Sequence, residues 1–111
     1  MMKFETILSM AREMAAKADI SGIDFMAVQI DIGGEQPGVF YVEVKDGRIS
    51  VEPYEYYDRQ CRIQISGEDF NLLLQGNLDP VKAFEAGRLK VEGDLDKALV
   101  FADLVQNRVK G

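Results

Sequence analysis

Phe40-Tyr41-Val42-Glu43-Val44-Lys45-Asp46-Gly47-Arg48-Ile49-Ser50-Val51-Glu52 is the stretch that decides the fold. Phe40, Val42 and Val44 alternate with Tyr41, Glu43 and Lys45, the period of two that separates the faces of a strand. Asp46-Gly47 follows, a pair in which both residues tolerate positive φ, so a tight turn with the twist of a hairpin is expected. Arg48 to Glu52 then returns antiparallel, and Pro53 ends it because proline cannot donate to a ladder. Each strand has one apolar and one mostly polar face, which predicts a sheet covered on one side only.

The same alternation extends outward in both directions. Upstream, Met26, Val28, Ile30 and Ile32 alternate with Ala27, Gln29 and Asp31, and Gly33-Gly34 and Pro37-Gly38 turn this strand into the hairpin. Downstream, Cys61, Ile63 and Ile65 oppose Gln60, Arg62 and Gln64, and Leu89 and Val91 form a brief fifth strand. Val28, Val42, Val51, Ile63 and Val91 are expected on the covered face, with Gln29, Glu43, Arg62 and Lys90 on the open one.

The cover is helical. Phe4, Ile7, Leu8, Ala11, Met14, Ala15 and Ala18 recur at helical spacing between about Met2 and Asp19. Ser66 followed by Asp69 reads as a capping-box variant that opens a second helix ending near Gly76. Asp79-Pro80 begins a short third one that Gly87 terminates, and Asp94 caps a fourth that runs to about Arg108. No repeat or linker interrupts residues 1–111. The chain therefore reads as a single two-layer sandwich of the α+β or α/β type. Its five-stranded sheet is mainly antiparallel, and the later helical insertions also permit a crossover and a mixed sheet.

Composition narrows the function. Hydrophobic residues form 47% and charged residues 29%, ordinary globular usage that excludes a disordered chain. The formal charge of -6 repels phosphate backbones, so nucleic acid is not an expected partner. The apolar run Ala98 to Ala102 is far short of the ~20 residues that span a bilayer, so no stable membrane insertion is expected. Glu5, Arg12, Glu13 and Lys17 break any signal-like start, and no Ser-Lys-Leu address follows Val109, so the expected location is cytoplasmic. There is no histidine and one cysteine, Cys61. No metal or organic cofactor is expected, and the commonest general base is missing. Asp69 is explained as part of a cap and Asp58 has no identifiable partner for acid-base chemistry, so the chain is not expected to be an enzyme. Gly33-Gly34 lies between two strands rather than opening a helix and lacks the geometry of a nucleotide loop.

From Cys61 to Leu104 the chain resembles the sterol carrier protein-2 family. The resemblance is carried by Cys61-Arg62-Ile63-Gln64-Ile65, Glu68-Asp69-Phe70, Gly76, Asp79-Pro80, Ala83-Phe84 and Gly87-Arg88-Leu89-Lys90-Val91-Glu92-Gly93-Asp94. With the Asp46-Gly47 hairpin it covers about Asp24 to Val105, and small stand-alone bacterial-type members are the better comparison. It implies helices over a sheet and, between the layers, an apolar cavity for a fatty acid, acyl-CoA, sterol or phospholipid. It implies no catalysis by the domain. The departures are Gln60, where the family places an acidic residue, and an acidic balance where the animal carriers are basic.

Several side chains are candidates for lining such a cavity. The last helix carries Leu95, Ala98, Ala102, Val105 and Val109 on one stripe, while Val100, Phe101 and Leu104 widen it beyond one sheet contact. Neighbouring helices, a ligand or a protein interface, including that of a homodimer, can each absorb the excess. Met10 and Met14 suit either an adaptable lining or a gap in the core. Met10, Met14, Leu73, Phe84, Phe101 and Leu104 are the expected lining. Tyr54, Tyr56 and Tyr57 either rim the cavity mouth with their hydroxyls in water or pack over a sheet edge. Cys61 shares the inward parity of Ile63 and Ile65, where burial raises a thiol's pKa. The expected function is non-catalytic carriage of an apolar ligand. A structural, dimerisation or accessory module presenting a lipid-like substrate to an enzyme is the alternative.

Overall fold

The computed structural model describes residues 2–110. The chain runs α1 (Phe4–Lys17), β1 (Phe25–Gly33), β2 (Gly38–Lys45), β3 (Arg48–Glu52), β4 (Cys61–Ser66), α2 (Gly67–Leu74), α3 (Pro80–Glu85), β5 (Leu89–Gly93) and α4 (Leu95–Asn107). One sheet holds the strands in the order β3-β2-β1-β4-β5. Asp46 and Gly47 take φ of 53° and 73°, the positive pair the hairpin turn requires. The sheet is mixed: β1 and β4 pair in parallel, and every other pairing is antiparallel.

Register aligns the apolar residues into rows. Val51, Val42, Val28 and Cys61 stand side by side, as do Phe40, Ile30, Ile63 and Val91. Buried side chains from all four helices join these rows in one core. Phe40 is its hinge point, with Phe4 of α1 and Phe70 of α2 at centroid distances of 6.3 and 5.5 Å. The predicted caps form: Ser66 Oγ accepts from the Asp69 N–H, Asp79 from Val81 and Lys82, and Asp94 from Asp96 and Lys97.

The parallel seam has a consequence on the other face. To reach its place beside β1, the chain after β3 must cross β2 and β1, and residues 53–60 do so on the side without helices. Tyr56 is its anchor: its ring packs edge-on against Tyr41, its hydroxyl donates to Glu43 and its N–H donates to Gln29. The bond to Glu43, with burial, pushes the Tyr56 phenol up to about 12. Gln29 does lie on the face away from the helices, yet this loop buries it to 3% exposure. Its amide bridges Tyr56 to Asp31, which in turn accepts from Arg62. Arg62 also reaches Glu92. Alternation alone could not show a loop lying over the polar face, so Gln29 departs from the expected openness while Lys90 keeps it.

Where β4 begins, Gly93 has φ of 95°, and a Cβ there would stand 2.6 Å from the backbone oxygen of Gln60. Both the conformation and the contact exclude a side chain. Gly93→Ala is expected to cost about 2 kcal/mol, a fall of roughly 10 °C in Tm. An unchanged melting curve would show that β4 and β5 do not approach as described.

Candidate ligand-binding groove

The face that α4 turns to the core keeps Ala98 and Val105 of the predicted stripe but is rotated toward Phe101 and Leu104. Ala98, Phe101, Leu104 and Val105 are the buried residues, while Leu95 is half-exposed. Phe101 and Leu104 are therefore core rather than excess width. The apolar excess lies on the flank of Leu95, Leu99 and Ala102, which lean toward α3. Hydropathy alone cannot find the centre of so wide a stripe, because every phase of it contains leucine or valine.

Beside this flank the sheet is thinly covered. Over β5 stands α3, six residues long, and between α3, α4 and the sheet lies a groove of about 370 Å³. Ile63, Leu89 and Val91 form its floor. Leu73 and Phe101 close its inner end, Pro80, Val81, Phe84 and Glu85 make one wall, and Leu95, Ala98, Leu99 and Ala102 make the other. Val81, Phe84, Leu95 and Leu99 are each 44–53% exposed. Tyrosines aside, they are all of the large apolar side chains left exposed among the described residues. Scattered surface leucines need no explanation, but four that converge on one concavity do.

The structure places Leu73, Phe84 and Phe101 at this groove and leaves the other three candidates outside its lining. Met14 and Leu104 are buried in the core, and Met10 is half-buried on α1. The tyrosines do not rim the groove, because their loop crosses the opposite face of the sheet. Tyr54 and Tyr57 are exposed there and Tyr56 is pinned to Glu43. Val81, Leu95 and Leu99 were missed by sequence reasoning. The available signal was spacing: Leu95 and Leu99 are four apart and Val81 and Phe84 three apart, so each pair shares a face.

The groove offers little chemistry. Glu85 is its one charged lining residue. Asp69 is held by Arg88, whose Nη2 and Nε donate to it at 2.6 and 3.2 Å. Burial, aided by the charge of Asp94, pushes the Cys61 thiol up to about 11, in keeping with its inward parity. No cluster of three metal-ligating side chains occurs among the described residues, and none of their helices is long and apolar enough to cross a membrane.

A family model described as the SCP-2 sterol transfer family matches residues 4–106. The chain belongs to the SCP-2 sterol transfer family. It is 33% identical over 85 residues to human (Homo sapiens) sterol carrier protein 2, an alignment that takes in 77% of this chain and 15% of that protein. To the hydroxysteroid dehydrogenase-like protein 2 of Xenopus tropicalis it is 31% identical over 99 residues, 86% of this chain and 22% of that one. The chain thus spans less than a quarter of these relatives. Among solved structures, palmitated SCP2L2 from Aedes aegypti superposes with a TM-score of 0.73 at 18% identity, covering 99% of this chain and all of that one. The sec-alkylsulfatase Pisa1 from Pseudomonas sp. gives 0.73 at 14% identity, covering 85% of this chain and 15% of that enzyme. The SCP-2 fold thus occurs both by itself and as a part of larger chains.

Phe101 and Leu99 separate core from groove. Phe101→Ala is expected to cost about 3 kcal/mol in urea unfolding, the low end for a buried ring because one side of it borders the groove. Leu99→Ala, two residues away on the exposed flank, should cost less than about 1 kcal/mol. Equal losses would contradict this division of α4.

Proposed function

We propose that this domain binds the apolar chain of a lipid in the groove between α3, α4 and the sheet, and carries it without transforming it. The observation that supports this reading most is the convergence of Val81, Phe84, Leu95 and Leu99 on one concavity with an apolar floor. Burying such side chains under a ligand is worth about 25 cal/mol per Å² removed from water. The volume, about 370 Å³, lies near the lower end of ligand pockets, roughly 300–1,000 Å³. It suits one chain rather than the two of a phospholipid. Membership of a family named for sterol transfer, and the fold shared with a palmitated relative, point the same way.

Carriage without chemistry fits the residues at hand. The groove holds no nucleophile with a base beside it, and its single carboxylate, Glu85, has no acid-base partner among the lining residues. Exchange of the ligand needs only a mouth, which the exposed residues of α3 and α4 provide.

Binding of a fluorescent long-chain alcohol tests the reading. The unmodified protein should bind it, and Leu99→Asp should weaken binding at least roughly tenfold, because a carboxylate would then be desolvated against the chain. With Leu99 half-exposed, the Tm should move by only a few degrees. No binding by the unmodified protein, or undiminished binding by the variant, would overturn the proposal.

A further inference from the structure

We infer that the free edge of β5 is a docking site for the same edge of a second copy of this chain, paired antiparallel about Val91. The two ends of the sheet are finished differently. At β3, Arg12 of α1 lies against the edge backbone: its Nε donates to the Val51 carbonyl at 3.2 Å and its Nη2 pairs with Glu52 at 3.0 Å. A further strand would have to displace that guanidinium, a common way of blunting an edge. β5 has no such guard. It pairs with β4 alone, and no other backbone hydrogen bond among the described residues engages Leu89–Gly93. Alternate N–H and C=O groups of an end strand point away from its single neighbour, so β5 offers a row of them to another strand.

The sequence of β5, Leu89-Lys90-Val91-Glu92-Gly93, decides which strand fits. Lys90 and Glu92 share the open face, one on each side of Val91. When two copies pair antiparallel about Val91, Lys90 of each stands opposite Glu92 of the other, and the two valines meet on the covered face. Lys90 is exposed and in no ion pair within the chain. Glu92 gives Oε2 to Arg62 and keeps Oε1 for the incoming lysine. Other registers are worse. A slip of one residue sets the covered face of one copy beside the open face of the other, and a slip of two sets Lys90 against Lys90 or Glu92 against Glu92. The favoured register is twofold symmetric, so association closes at two copies. Because α3 enters β5 at Leu89, the symmetry puts the two copies of α3 over opposite ends of the joint. Val91 is part of the groove floor, so its counterpart in the second copy extends that floor beyond the edge of a single sheet.

Sedimentation equilibrium of the full chain, from ~10 µM to ~1 mM, tests the pairing. A reversible and weak monomer–dimer equilibrium is expected, because a five-residue strand pair buries less than the roughly 1,000 Å² of a stable interface. Lys90→Glu or Glu92→Lys alone should weaken the dimer at least roughly tenfold, since each sets like charges opposite one another twice. An equimolar mixture of these two variants should dimerise as the parent does, because every facing pair is then of opposite sign. The double variant Lys90→Glu, Glu92→Lys should do the same by itself. Glu92→Lys places a lysine beside Arg62, so its circular dichroism is compared with the parent's; should it not fold, Lys90→Glu against the double variant decides. A parent that stays monomeric throughout would overturn the inference. So would a dimer indifferent to the single reversals, or a loss that neither the mixture nor the double variant restores.

Discussion

The parallel pairing of β1 with β4 is the constraint on which the rest of the structure depends. It joins two antiparallel blocks, β3-β2-β1 and β4-β5, and sets the line along which the helices must cover the sheet. A parallel neighbour cannot be reached by a tight turn, so the chain crosses the outer face in residues 53–60 and pins the crossing with Tyr56 and Gln29. With that connection on the outer face, the inner face is left to helices alone. α1 lies over the β3 side and α2 and α4 over the seam, leaving β5 beneath six-residue α3. The groove is the place where helical cover runs short.

Much of this was legible in the sequence. The period of two gave every strand, Asp46-Gly47 fixed the hairpin, and Ser66, Asp79 and Asp94 marked helix starts within a residue. These are local signals, each the product of backbone sterics or of a side chain bonding its own helix. What could not be read was anything set by the seam. Whether β4 joined in parallel decided on which face the tyrosines lay, and no residue near Tyr54, Tyr56 or Tyr57 encodes that. Gln29 shows the same limit, being polar, on the expected face and buried all the same.

The candidate site was legible only in outline. A resemblance over Cys61 to Leu104 pointed to α3 and α4 among the candidate helices, and Leu73, Phe84 and Phe101 lie at the groove between them. Met14 and Leu104 were chosen as lining because an apolar side chain on a helix looks alike whether it faces core or ligand. The exposed flank of α4 is told from its buried flank by the phase of packing against β1 and β4, a tertiary property. Leu95 and Leu99 became recognisable as lining once Phe101 was seen to occupy the core.

The most direct test of the account is an amide NMR titration of the protein with an unlabelled long-chain alcohol. The account predicts that the largest shifts fall on Val81, Phe84, Leu95 and Leu99 and their neighbours in α3 and α4, with Gln29, Tyr56 and Arg62 on the outer face unmoved. Shifts concentrated around the tyrosine loop, or none at saturating ligand, would contradict it.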